Sequence, residues 1–199
     1  MLKTIRQRLN DFEPRSFPSN QPQAGVLIAL TDHPSDPEVV LTKRAARLST
    51  HSGEIAFPGG KHDETDRDLL HTALREAEEE VGLPPDKVEI VGPLGQVMSK
   101  HGLKVTPWVG IIPQGLALEP NPDELDEIFN VPLSFFMQDE RYCTDEIRFK
   151  GKTMYVPAWE YEGHIIWGLT AYMLVELLNE GCDAGIPMKP RPEHKIRRW

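Results

Sequence analysis

The strongest constraint on this chain lies between residues 66 and 83, where one amphipathic helix is bounded on both sides. Leu69, Ala73, Ala77 and Val81 recur every four residues, and Leu70 and Leu74 widen the stripe. That period predicts a helix over 66–81 with one face toward a core. Thr65 or Asp66 is expected to cap its start, and Gly82 followed by Pro84-Pro85 to stop it. Short strand-like segments surround it. Residues 25–30 form a compact apolar run and residues 38–43 a second, separated by a loop holding two prolines and two aspartates; together they predict a hairpin. Residues 44–64 read as irregular. Strand-like runs follow at 87–91 and 103–112, then a loop over 113–123, a short helix over 132–137, weak alternation over 146–156 and an amphipathic helix over 169–178. Strands, helix, strands, helix, with no repeat and no second core in 199 residues, argue one α/β or α+β domain.

The ends read differently. Residues 1–10 suit a short amphipathic helix, whereas 13–24, with Pro14, Pro18 and Pro22, must be an extended arm. The expected organisation is an N-terminal helix and arm over 1–24, a main domain over 25–186 and a basic, proline-rich, mobile tail over 187–199. Lys plus Arg is 22 against 31 for Asp plus Glu, a net charge of −9, which disfavours a nucleic-acid partner. Cys143 and Cys182 are too few for a disulfide framework or zinc cage and read as free thiols in a reducing compartment. No apolar run approaches the ~20 residues that cross a bilayer, and no long apolar stretch follows the basic residues at the start. The expectation is a cytoplasmic protein with no membrane partner, its assembly open between monomer and homodimer.

The chemistry points to the end of the predicted helix, Arg75-Glu76-Ala77-Glu78-Glu79-Glu80-Val81-Gly82-Leu83. Four carboxylates there repel one another and meet the negative end of the helix dipole. Glu76, Glu79 and Glu80 project within one arc, away from the apolar stripe. Such a cluster is either a solvated acidic surface or the ligand set of a divalent cation, and a cation removes both objections. The preceding Phe57-Pro58-Gly59-Gly60-Lys61 carries two glycines, which let backbone come close to a ligand or metal.

At these residues the chain resembles the Nudix hydrolase family, whose box reads G-x5-E-x7-R-E-U-x-E-E-x-G-U with U bulky and aliphatic. Arg75 to Leu83 match the second half, with the small Ala77 at the first aliphatic position. In the first half the strict glycine position holds Lys61, one residue after Gly60, and the first box glutamate falls on Arg67, flanked by Asp66 and Asp68. One inserted loop residue accounts for both shifts. Upstream, the chain is similar to the coenzyme A pyrophosphatase branch, whose motif is like L-L-T-x-R-[SA]-x3-R-x3-G-x3-F-P-G-G. Val40-Leu41-Thr42-Lys43-Arg44-Ala45, Gly53 and Phe57 to Gly60 keep its spacing; its second arginine is Ser49 here, with Arg47 two residues away. The run from Gly163 to Ala171 also looks like this branch.

The resemblance implies a Nudix-type α/β/α sandwich with a mixed central sheet, and Mg²⁺- or Mn²⁺-dependent hydrolysis of a phosphoanhydride in a small-molecule substrate. For coenzyme A the products would be 3′,5′-ADP and 4′-phosphopantetheine. It implies Glu76, Glu79, Glu80 and Gly60 as the metal site, with Arg75 and Glu79 in the catalytic machinery. The acidic loop 121–127 is expected to supply the base, Glu124 first and Glu127 second. Substrate binding is expected from the basic neighbourhood of Lys43, Arg44, Arg47, His51 and Lys61, with Gly53 in the same loop. Arg44 is the foremost candidate, because arginine forks onto phosphate and coenzyme A carries a separate 3′-phosphate. The rival readings are a Nudix enzyme for NADH or ADP-ribose and a catalytically silent nucleotide-binding regulator. The intact Glu76, Glu79 and Glu80 argue against silence.

Overall fold

A computed structural model describes residues 1–18, 20–48, 50–149, 151–191 and 193–198. The N-terminal helix α1 (Leu2–Asn10) buries Ile5 and Leu9, so it belongs to the core of the main domain. Strands β1 (Gln23–Thr31) and β2 (Glu38–Arg44) form the expected antiparallel hairpin, with Leu30 opposite Val39. The stretch read as irregular contains two short strands, β3 (Ile55–Ala56) and β4 (Gly59–Lys61). β3 pairs with the end of β2 and β4 with the beginning of β1, so residues 55–61 bridge the two long strands.

Helix α2 (Leu69–Val81) starts three residues later than its periodicity suggests. Asp68 caps it, accepting the backbone N–H of His71 at 2.8 Å, and Gly82 closes it at φ 66°. Neither Thr65 nor Asp66 is the cap, because the Asp66 carboxylate is bonded elsewhere, as described below.

Strands β5 (Glu89–Pro93), β6 (Val97–Met98) and β7 (Lys104–Ile112) follow. β7 lies parallel to β1 in unbroken register from Gln23 opposite Lys104 to Thr31 opposite Ile112. A parallel pair needs a crossover, and α2, which packs on β1, lies within it. β8 (Leu125–Pro132) runs antiparallel along β2 and leads into α3 (Leu133–Met137). The central sheet is therefore mixed, in the order β3-β2-β1-β7-β5. Alternation sorts its side chains. Leu27, Ala29 and Val40 face Ala73, Ala77 and Val81 of α2, while Ile28, Leu30, Val39 and Leu41 face the larger core on the opposite side.

That larger core is closed by β9 (Cys143–Phe149), β10 (Lys152–Tyr161), β11 (His164–Ile166) and α4 (Gly168–Glu176), which runs on into a π turn over Leu177–Gly181. Trp159 of β10 meets Phe136 of α3 edge to face at 5.2 Å between centroids. The tail departs from expectation. β12 (Ile196–Arg198) adds to β9 in parallel, and Arg197 forks onto the buried Asp145 at 2.7 and 2.9 Å. Arg191 likewise reaches Asp139. The basic residues that suggested a solvated tail are the ones that pin it. Among the described residues no helix is long and apolar enough to cross a membrane.

Candidate active site

The first turns of α2 hold a network built on Asp66, whose side chain is fully shielded from solvent. It accepts Arg75 Nε at 2.9 Å and Nη2 at 3.0 Å, the Thr72 hydroxyl at 2.9 Å and the Asp63 N–H at 3.0 Å, and His71 Nδ1 stands 2.9 Å away. The Arg75 guanidinium above all, with these other donors, holds the carboxyl far below the usual range, and Asp66 in turn raises Arg75. The acid that pairs with Arg75 thus stands one residue before Arg67, the position of the first box glutamate. Arg75 spends its remaining nitrogen on the far side: Nη1 lies 3.1 Å from both Glu76 Oε1 and Glu79 Oε2. It ties the paired first half of the helix to the acidic second half.

In that second half the three glutamates do not share one outward face. Glu79 is half-exposed and turned onto Arg75, Glu76 is largely covered, and Glu80 is 3% exposed. The cover is the glycine loop, whose Gly59 N–H donates to Glu80 Oε2 at 3.0 Å. Gly60 rides on the Glu76 carboxylate so closely that a Cβ there would lie 2.4 Å from its carboxyl carbon. A side chain at Gly60 would displace the Glu76 carboxylate, and one at Gly59, with φ 155°, would strike the backbone of Gly25 and Val26 at 2.6 Å. Burial pushes the Glu80 carboxyl up to about 7, with the Gly59 N–H working against it and the charges of Glu76 and Glu124 adding to the rise. Burial also raises Glu76, against the pull of Arg75 and with help from Glu79 and Glu124. Glu124, in the loop before β8, is therefore electrically part of this cluster. Arg44, at the end of β2, brings Nη1 to 3.9 Å from Glu80 Oε1, and among the described residues its buried Nε has no acceptor.

Among the described residues no three acidic, imidazole or thiol side chains already stand as a closed cage. The donor set nonetheless suits a small hard cation. It consists of carboxylate oxygens that repel one another, two of them held back from water, with glycine backbone pressed against them.

The other expected residues distribute around this centre. Gly53, at φ 70°, donates its N–H to the Arg44 carbonyl at 3.0 Å and so anchors the loop after β2. His51 Nδ1 stands 2.8 Å from Glu54, Arg47 reaches Asp123 at 3.9 Å with both side chains exposed, and Lys61 is exposed on β4. Ser49 lies outside the described residues. Lys43 and Glu127 are not brought to the cluster. They oppose each other across β2 and β8 on the face away from α2, and Glu127 Oε1 takes His164 Nε2 at 3.3 Å. His164, which has no ligand-like spacing in sequence, stacks on Phe129 at 4.2 Å. Asp66 is the residue of this network that spacing alone misses, and the shifted first half of the box is its signal in the sequence.

The family model for the NUDIX domain matches residues 20–142. A protein named uncharacterized Nudix hydrolase NudL from Photorhabdus laumondii is 41% identical over 167 residues, covering 84% of this chain and 89% of its own. The NudL of Salmonella paratyphi B is 44% identical over 158 residues, covering 79% and 82%. A MutT/nudix family protein from Enterococcus faecalis shares the fold at a TM-score of 0.55 and 13% identity, over 92% of this chain and 70% of that one. With its mixed sheet layered between helices and its glutamates on α2 under a glycine loop, this chain belongs to the Nudix hydrolase family.

Proposed function

We propose that the chain is a Mg²⁺- or Mn²⁺-dependent pyrophosphatase of coenzyme A or its acyl derivatives, releasing 3′,5′-ADP and the phosphopantetheine half. The observation that carries this reading is Arg44. It is the arginine of the upstream motif, its Nη1 sits beside Glu80, and its buried Nε lacks an acceptor among the described residues. A phosphate oxygen held near the acidic cluster supplies that acceptor. Glu76 and Glu80 would hold a divalent cation, which would supply charge neutralisation for the phosphates and a more nucleophilic water. The chain's own groups do the rest. Glu124 takes the proton from the attacking water as the new P–O bond forms and the anhydride P–O bond breaks. Arg75 keeps Glu76 and Glu79 from turning away, and the Gly59 N–H holds Glu80 in place. The unbridged Cys143 and Cys182 fit a cytoplasmic enzyme.

A product assay over coenzyme A, acetyl-coenzyme A, NADH and ADP-ribose, with Mg²⁺ or Mn²⁺, tests the reading. Formation of 3′,5′-ADP from coenzyme A at the highest kcat/KM is expected. Faster cleavage of NADH or ADP-ribose would give the function to the rival substrates. No turnover of any would make the chain a binding module.

A further inference from the structure

Strand β2 ends on two cations that point in opposite directions. Successive strand residues face opposite sides of the sheet, and here the sides differ in content. Arg44 faces α2 and Glu80. Lys43 follows Leu41 onto the other face and lines a cavity of about 400 Å³ between the loop before β3 and the β10–β11 turn. Ser52, Gly53, Glu54, His164 and Trp167 line it too.

Two carboxylates stand near Lys43, and each is already engaged. Glu54 is held by His51 at 2.8 Å, and Glu127, directly across the strand, by His164 at 3.3 Å. Among the described residues Lys43 itself has no ion pair and no side-chain hydrogen bond. A cation left available at the wall of a cavity of this size suits an anionic group of a small ligand; the Trp167 indole beside it already carries the Arg197 guanidinium at 5.3 Å. The volume is of the order that small ligands fill. Lys43 and Arg44 stand at the end of β2 on opposite faces of the sheet, so one molecule with two separate anionic groups meets both by passing the end of the strand.

We propose that this cavity holds the 3′-phosphorylated nucleotide end of the substrate, with Lys43 on the 3′-phosphate, while Arg44 serves the pyrophosphate. This rests on the coenzyme A reading and moves discrimination of the 3′-phosphate from Arg44 to Lys43.

The test is equilibrium binding of adenosine 3′,5′-bisphosphate and of AMP to the full chain by titration calorimetry. The two probes differ only in the 3′-phosphate. The unmodified protein is expected to prefer the bisphosphate by about ten- to a hundredfold. Lys43→Gln is expected to abolish that preference, Lys43→Arg to retain most of it, and Arg44→Gln to weaken both probes alike. Equal affinities in the unmodified protein, or a preference that survives Lys43→Gln, would overturn the proposal. The measurement does not depend on hydrolysis. A preference lost in Lys43→Gln by a protein that leaves coenzyme A intact overturns the proposed function and supports the cavity. A coenzyme A hydrolase whose preference survives Lys43→Gln overturns the cavity alone.

Discussion

The two halves of α2 handle charge in opposite ways. Around its first turns Asp66 is buried yet partnered by Arg75, Thr72, His71 and a backbone N–H, and its charged form is strongly favoured. Toward its last turns Glu80 is as well buried, but its neighbours are Glu76 and Glu124, and its charged form is disfavoured. Both carboxylates lie within one helix and its lead-in, so the difference is not one of depth. The first network is balanced by the protein itself and fixes geometry. The second is not balanced by the protein, and in the proposed function a cation balances it.

The largest effect should come from unbalancing the balanced half. Asp66→Asn removes the counter-charge of a mostly buried Arg75 and is expected to cost about 3–5 kcal/mol of unfolding free energy in denaturant melts. The Asp66 carboxyl is held well below its unfolded value, so its contribution is present above the ordinary carboxylate range and lost as pH falls beneath it. A cost below about 1 kcal/mol would mean that the network is not what sets Arg75.

Next comes the unbalanced half, where loss should fall on turnover and not on folding. Glu80→Gln is expected to keep the folded spectrum and cut kcat by roughly a hundredfold or more. Near-normal turnover in saturating Mg²⁺ would erase the contrast. A smaller effect separates the two candidate bases. Glu124→Gln should lower kcat by about tenfold or more with KM less affected, whereas Glu127→Gln, on the other face of the sheet, should change kcat by less than about threefold. A crippled Glu127→Gln beside a normal Glu124→Gln would reverse their roles.

Much of this was legible before any coordinates. The four-residue stripe from Leu69 to Val81 located α2, and the acidic run at its end located the carboxylate cluster proposed to hold the cation, because both are local and periodic. β3 and β4 were not legible, since strands of two and three residues have no period to read. The same limit hid the burial of Glu80, which depends on the glycine loop folding back over the helix. Asp66 passed for a cap because an acid just before a helix usually is one, and only tertiary contact with Arg75 distinguishes it. Lys43 and Arg44 read as one basic patch in sequence, and strand alternation divides them. The tail looked mobile because its arginines find their aspartates, Asp139 and Asp145, about fifty residues away.

Metal-free stability as a function of pH, compared between the unmodified chain and Glu80→Gln, bears most directly on the unbalanced half. Folding raises the Glu80 carboxyl from 4.5 to about 7, so between those values the folded state keeps a proton that the unfolded chain has released. Stability from this group is therefore full below the lower value and falls as pH rises through the window. The unmodified chain is expected to lose about 1–3 kcal/mol relative to Glu80→Gln over that range, and Mn²⁺ at pH 8 to restore it while leaving Glu80→Gln little changed. A difference between the two proteins that is flat in pH, together with equal stabilisation of both by Mn²⁺, would contradict the assignment of this half of α2 as the cation site.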